Sequence, residues 1–326
     1  MGVDKFPFYS VSLDCIFYKY KTVIIIGDIH DNERTFISFA FEKGYVFLSR
    51  DNVDLNNISN YIVRSDILLI FLGDVLYKTR GHFKSIMRFI LNNKDNCLLI
   101  LGNNEIKFVF EHINLLMDFS QQFLSHSFLR SIQKAIDNKD SLGIINQIYF
   151  LVKQLRQNDE NSKLKRDWMW YYFCFFYEYL LDKTNCEDLM ILMYILTDSI
   201  ILGYSEKLKL ILVHAGLNPR LRLQHQRISD LCNIRYVKRS KKVPWYHYYA
   251  NFKYTILFGH WSKLTKFTGM PYSFANVLCL DTECYKTNVL SYVIISPNSS
   301  SSKYRGNLNV TTYSSGFNTF HEITFI

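Results

Sequence analysis

The feature that most constrains this chain is a unit that recurs along it: a short apolar run, most often a glycine, then a side chain able to hold a metal. Its first instance is Thr22–Asp31, TVIIIGDIHD. The β-branched run Thr22–Ile26 has the continuous apolarity of a strand buried on both faces. It stops at Gly27, and Asp28 and His30 follow, ahead of helix-like sequence. Open α/β sheets place their chemistry at that carboxyl end of a strand. The unit returns in Asp66–Leu72 with Gly73 and Asp74, and in Cys97–Leu101 with Gly102, Asn103, Asn104 and Glu105. It returns again in Leu208–Val213 with His214, and in Thr255–Phe258 with Gly259 and His260.

The segments between these runs set the topology. Asn32–Gly44 reads as a helix with Phe36, Ile37, Phe39, Ala40 and Phe41 on its apolar side and a glycine stop. A second helix, from about His82 to Leu91, leads from strand Ile67–Leu72 to strand Cys97–Leu101, with irregular sequence over Arg50–Tyr61. The resulting βαβαβ order predicts a parallel sheet with right-handed crossovers. From Ile106 to Ser205 the strand punctuation stops and long helical patterns take over, including Ser131–Gln154 and Leu164–Leu181. Residues 106–205 are therefore expected to form a helical insertion within a single domain spanning 1–326. Its aromatic stripe from Trp168 to Tyr177 is assigned first to packing and only second to recognition. Strands resume over Asn276–Leu280 and Asn288–Ile295, and a Ser/Asn-rich linker, Pro297–Ser302, opens a tail over 297–326. Phe320–Ile326 is expected as an edge strand, and residues 1–20 as an added edge strand or a loop on the sheet. There are no internal repeats.

Composition excludes several classes. With 48% hydrophobic and 16% aromatic residues the chain can build a large core, which rules out wholesale disorder. The net charge of +9 favours anionic partners. The basic residues are scattered except at Arg235–Lys242, which reads as a solvated loop, so nucleic acid is not indicated as a partner. The seven cysteines form no CxxC pair and no secretory signal precedes them, as expected of reduced core residues in an intracellular, cytoplasmic protein. Phe6 stands where a myristoylation signal needs Ser or Thr. The apolar stretches Trp168–Leu181 and Leu189–Leu202 are short of the roughly 20 residues of a membrane span and carry Glu178 and Asp198. They read as buried helices. Nothing in the chain specifies an oligomeric state.

The chemistry rests on Asp28, His30, Asp74, Asn103, His214 and His260. Carboxylate, imidazole and amide oxygen suit two divalent cations such as Mn, Fe, Zn or Co. One aspartate, Asp74 by its place in the order, can bridge two ions about 3.5–4 Å apart. Such a pair lowers the pKa of a bridging water and clamps a phosphoryl group. One histidine after a strand is ordinarily structural; six ligands in this context are not. The blocks GDIHD, GDVLY, GNNE, VHAG and FGHW resemble the five blocks of the calcineurin-like metallophosphoesterases. Pro244-Trp245, Phe258–Trp261 and Leu280–Cys284 are similar to the symmetrical diadenosine tetraphosphatase branch, a neighbour of the Ser/Thr phosphoprotein phosphatases. The resemblance covers Thr22–Ile295. It implies an α/β fold, a β-sandwich flanked by helices, and hydrolysis of a phosphoester or phosphoanhydride. It implies a first metal on Asp28, His30 and Asp74, and a second on Asp74, Asn103, His214 and His260. The implied partners are a phosphorylated small molecule or nucleotide, or a phosphoprotein.

Against that pattern, Asn104 replaces the family's general-acid histidine, and an amide has no titratable proton. Tyr77 replaces the aspartate that orients that histidine, so both members of the acid dyad are absent together. Lys78 replaces the phosphate-gripping arginine; Lys78 and Arg80 remain as phosphate-binding candidates, without the bidentate fork at position 78. Glu283 stands where a glycine is usual. His82 and His112 are candidates for a substitute acid. Losing general acid catalysis costs about 10²–10⁴-fold and falls hardest on poor leaving groups, so phosphoanhydrides and aryl phosphates are expected over phosphoserine. Three readings follow: an enzyme acting on nucleotide polyphosphates, a Ser/Thr or Tyr protein phosphatase of the same fold, and a catalytically weak metal-binding interaction module. The intact ligands favour the first.

Overall fold

The computed structural model describes residues 10–49, 57–76, 84–111, 186–237, 243–249, 252–264, 270–296, 309–314 and 317–320. The chain divides into two units, residues 1–105 with 199–326, and residues 106–198.

The first unit contains two six-stranded sheets. One runs in the order β14 (Phe317–Phe320), β13 (Asn309–Ser314), β12 (Val289–Ile295), β2 (Thr22–Ile26), β5 (Ile67–Phe71), β6 (Cys97–Leu99). The other runs β1 (Ser10–Ser12), β7 (Leu202–Ser205), β8 (Leu210–Val213), β9 (Thr255–Phe258), β11 (Val277–Cys279), β10 (Tyr272–Phe274). A separate hairpin pairs β3 (Val46–Leu48) with β4 (Tyr61–Val63). The expected βαβαβ order gives a parallel trio, with Thr22 opposite Ile67, Ile26 opposite Phe71 and Leu69 opposite Cys97. β12 then adds antiparallel, with Tyr292 opposite Ile26.

Side-chain alternation turns the two sheets into a sandwich. Val23 and Ile25, Leu68 and Ile70, and Val293 and Ile295 point from one sheet into a cluster that Leu210, Leu212, Leu257 and Leu278 enter from the other. The alternate residues of the first sheet face its helices. Phe36 meets Phe71 at 5.7 Å and Phe89 at 5.0 Å, and Phe39 meets Tyr292 at 4.5 Å between ring centres. Both faces of β2 and β5 are thus covered, which is why these strands read as unbroken apolar runs. Each such Leu or Ile contributes about 1.5–3 kcal/mol on burial. Helix Glu33–Glu42 starts at Asn32, whose side chain accepts from Thr35 N–H and donates to the Cys284 carbonyl at 2.8 Å.

Several expected bounds change. The second helix begins at Ser85, and β6 ends at Leu99. Leu189–Leu202 is not one helix: it is the end of helix Cys186–Thr197, then a turn, then the start of β7. Ile200 pairs with Ile100 and draws the chain into sheet geometry there, which apolarity alone does not reveal. Strands β1, β3, β4, β7 and β10 have only three or four residues, too short to show a period. Within the second unit, helix Cys186–Thr197 buries Ile191, Leu192, Tyr194 and Ile195. The expected helices Ser131–Gln154 and Leu164–Leu181, with the aromatic stripe, lie outside the described residues, as do the linker and residues 321–326. No described helix is long and apolar enough to cross a membrane.

Candidate metal centre

The loops that follow β2, β5, β6, β8 and β9 meet at one end of the sandwich. Backbone bonds lock the first two together: His30 N–H donates to the Asp74 carbonyl and Asp31 N–H to that of Val75, both at 2.9 Å. His30, Asp31, Asp74 and His260 all adopt left-handed backbone, with φ of 50°, 54°, 48° and 65°. Such conformations cost on the order of 1 kcal/mol each and persist where the surroundings over-determine them. Those at His30, Asp74 and His260 turn side chains off the strand ends toward one point, while the Asp31 carboxylate accepts the Ile86 N–H at 2.9 Å.

Two groups result. Asp28, His30 and Asp74 form one, and Asp74, His214 and His260 the other; in each, the donor atoms lie within 4.8 Å of one another. Asp74 belongs to both. Asn103 joins the second, with its Oδ1 3.2 Å from His214 Nε2. Absent side chains make room for the carboxylates. A Cβ on Gly259 would lie 1.8 Å from Asp28 Oδ1, and one on Gly102 would lie 2.4 Å from Asp74 Oδ1.

The protonation pattern of the second group fits a cation. His214 Nδ1 lies 2.7 Å from the Leu72 carbonyl, which can only accept, so this nitrogen carries the proton and Nε2 is bare. Burial holds the His214 pKa down to about 4, so the ring is neutral. Asn103 commits its amide N–H to Asn104 Oδ1 at 3.1 Å, which leaves its own oxygen facing inward. Three lone-pair atoms therefore converge without a proton between them: His214 Nε2, Asn103 Oδ1 at 3.2 Å and Asp74 Oδ1 at 3.5 Å. Orienting the non-ligating nitrogen on a backbone carbonyl is how ligand histidines are held. In the first group, His260 N–H donates to Asp28 Oδ2 at 2.9 Å, while the buried Asp28 Oδ1 has no hydrogen-bond partner among the described residues. Burial, and after it the charges of Asp281 and Asp74, push the Asp28 carboxyl well above the usual carboxylate range. A divalent cation relieves both burdens.

Three further residues shape the site. Glu105, fully buried, accepts N–H bonds from Asp74 and Gly102 at 2.9 Å and from Leu76 at 3.0 Å, tying the β5 and β6 loops together. Asp281 is buried beside Asp28, and burial lifts its pKa to about 7. Arg235, which the sequence places at the start of a solvated basic loop, donates from its guanidinium to the His260 carbonyl at 3.0 Å. In the sequence Glu105 closes the GNNE block but looks like any acid in the first turn of a helix; only the loop contacts reveal its work. Asn104 is buried, with its amide bonded to the Leu76 carbonyl at 2.9 Å. Tyr77, Lys78, Arg80, His82 and His112 lie outside the described residues.

The sequence model of the calcineurin-like phosphoesterases matches residues 21–295. A crystal structure described as a "putative diadenosine tetraphosphatase" superposes with a TM-score of 0.51 at 13% identity, covering 94% of this chain and 99% of that one. A protein serine/threonine phosphatase from Saccharomyces cerevisiae with similarity to human phosphatase PP5 gives a TM-score of 0.47 at 9% identity, covering 96% of this chain and 85% of that one. No curated protein matches the sequence at a significant level. On the match across residues 21–295, the chain belongs to the calcineurin-like phosphoesterase family of phosphoric ester hydrolases.

Proposed function

We propose that this chain hydrolyses a phosphoanhydride or a phosphomonoester with a good leaving group, a nucleotide polyphosphate first among them. The observation that carries the reading is the pair of buried donor groups sharing Asp74. In this reading Asp28, His30 and Asp74 hold one divalent cation, and Asp74, Asn103, His214 and His260 hold the other. Mn, Fe, Zn and Co all suit such mixed oxygen and nitrogen donors. Bound together, two such ions activate water and neutralise charge on a phosphoryl group.

The residues of the chain then divide the remaining work. Glu105, which accepts the Asp74 N–H, and the Asn104 N–H, which donates to Asp74 Oδ1 at 2.9 Å, hold Asp74 in place. Arg235 sets a cation beside His260, where it adds to the field that an anionic substrate meets. Lys78 and Arg80 are assigned to phosphate binding from their place in the second block. Asn104 donates hydrogen bonds but has no proton to release, so the leaving oxygen departs without help from this position. A nucleotide phosphate or a phenolate tolerates that; a serine alkoxide does not.

The test is a substrate panel with Mn added: diadenosine tetraphosphate, ATP, an aryl phosphate and a phosphoserine peptide, each with the native chain and with Asp74→Asn. Expected are turnover of the first three well above the peptide, and loss of at least about 10²-fold in the variant. Comparable rates on the peptide would overturn the leaving-group argument and favour a protein phosphatase. Metal binding with no turnover on any substrate would leave a metal-binding interaction module.

A further inference from the structure

The short helix Cys284–Thr287 stands at the rim of the candidate metal centre, and its position is fixed from both ends. Glu283 before it and Asn288 after it adopt left-handed backbone, each with a φ of 54°. Asn32 Nδ2 donates to the Cys284 carbonyl at 2.8 Å and to Asn288 Oδ1 at 3.0 Å. Glu283, itself buried, accepts the Ser262 hydroxyl on Oε1 at 2.9 Å. Asn32 belongs to the loop that carries Asp28 and His30, and Ser262 to the segment that follows His260. The helix is thus tied to two of the loops that supply candidate ligands.

These ties set Tyr285 against His30, with ring centres 4.8 Å apart and planes at 76°. Lys286 Nζ lies 4.9 Å from the centre of the same tyrosine ring and 3.3 Å from Glu283 Oε1. The ammonium and a candidate ligand therefore share one aromatic neighbour. Hydrogen bonding to Tyr285, and after it to Glu283, holds the Lys286 pKa above the usual lysine value, so the group is charged throughout the neutral range. An exposed ion pair of this kind does little for stability. What it does is hold a cation in place: the aromatic face and the carboxylate have already restricted the long side chain, so less freedom is lost when an anion arrives. Lysine has three N–H donors, and among the described residues Tyr285 and Glu283 take one each, which leaves a third for that anion.

We propose that Lys286 is a specificity-determining residue, whose ammonium takes the phosphate next to the one that reacts. The donors of Asp28, His30 and Asp74 are buried, whereas more than half of the Lys286 side chain is open to solvent. A phosphoryl group held among the former leaves Lys286 to its neighbours along the chain of phosphates. Substrates with two or more linked phosphates gain this contact, and a monoester does not. The proposal deepens the reading of the chain as a hydrolase of nucleotide polyphosphates and rests on it.

The experiment compares the Mn-loaded full-length chain with Lys286→Met, Lys286→Arg and Glu283→Gln on ATP, diadenosine tetraphosphate and an aryl phosphate. Expected for Lys286→Met is a fall of about tenfold in kcat/KM on the two polyphosphates, carried mostly by KM, against less than about twofold on the aryl phosphate. Lys286→Arg should recover most of the loss, and the loss should shrink as salt is raised. Were the pair only structural, Glu283→Gln would do the same damage as Lys286→Met. With Lys286 as the phosphate contact, Glu283→Gln leaves the preference for polyphosphates at or above its native value. Equal losses on all three substrates, or none on any, would overturn the proposal and leave the hydrolase reading standing. No turnover by the native chain would overturn that reading instead. Calorimetric binding of β,γ-methylene ATP then decides for Lys286: weaker binding to Lys286→Met upholds the contact, and equal affinity overturns it.

Discussion

Glu105 shows how much of the site depends on residues that touch no substrate. Its carboxylate accepts three backbone N–H groups from two loops, and burial raises its pKa to about 7 even against those bonds. Glu105→Ala would orphan three buried donors at about 1–3 kcal/mol each. The expected outcome is a loss of at least about 3 kcal/mol in denaturant-induced unfolding. Asp74 should lose its set position with it, so Mn affinity should fall too. Stability equal to that of the native chain would show that the three bonds are replaced by water. The residue scale is also where sequence reading fell short. The candidate ligands are legible because each follows an apolar run, whereas Glu105 and Arg235 acquire their contacts from backbone groups far along the chain.

At the scale of elements, the two sheets touch at their strand ends through Gly27. A Cβ there would lie 2.1 Å from the Leu280 carbonyl, which already accepts the Ser291 hydroxyl. Rigid backbone on both sides leaves little room for relief, and such overpacking costs typically 1–3 kcal/mol or more. Gly44 is the control: its φ is +67° with nothing among the described residues within 4 Å of a Cβ there. Gly44→Ala is expected to cost about 1–2 kcal/mol from backbone strain alone. Gly27→Ala should cost more and should also weaken Mn binding, because Asp28 is the next residue. Equal losses, with Mn binding intact in both, would mean that the sheets accommodate the methyl by sliding.

For the whole molecule, the buried carboxylates make cation binding and folding one equilibrium. Asp28, Asp74, Glu105 and Asp281 are all buried, and burial, with neighbouring carboxylates after it, raises the pKa of Asp28, Glu105 and Asp281. A cation at about 100 times its dissociation constant should add about 2.7 kcal/mol to the native state. Thermal unfolding with Mn and with chelator should therefore differ by several degrees, and Asp74→Asn should erase most of the difference; an unchanged melting temperature would argue against a bound ion. What the sequence by itself determined was the five long buried strands, their order along the chain and the candidate ligand after each, because a strand covered on both faces announces itself in a local apolar run. Only the tertiary structure decided that β12 closes on β2 and that the three-residue strands β1 and β10 edge the second sheet. It alone set the Nδ1 of His214 on the Leu72 carbonyl and brought the Arg235 guanidinium to the His260 carbonyl. Those outcomes depend on hydrogen-bond partners supplied by distant parts of the chain, and no local pattern encodes a partner.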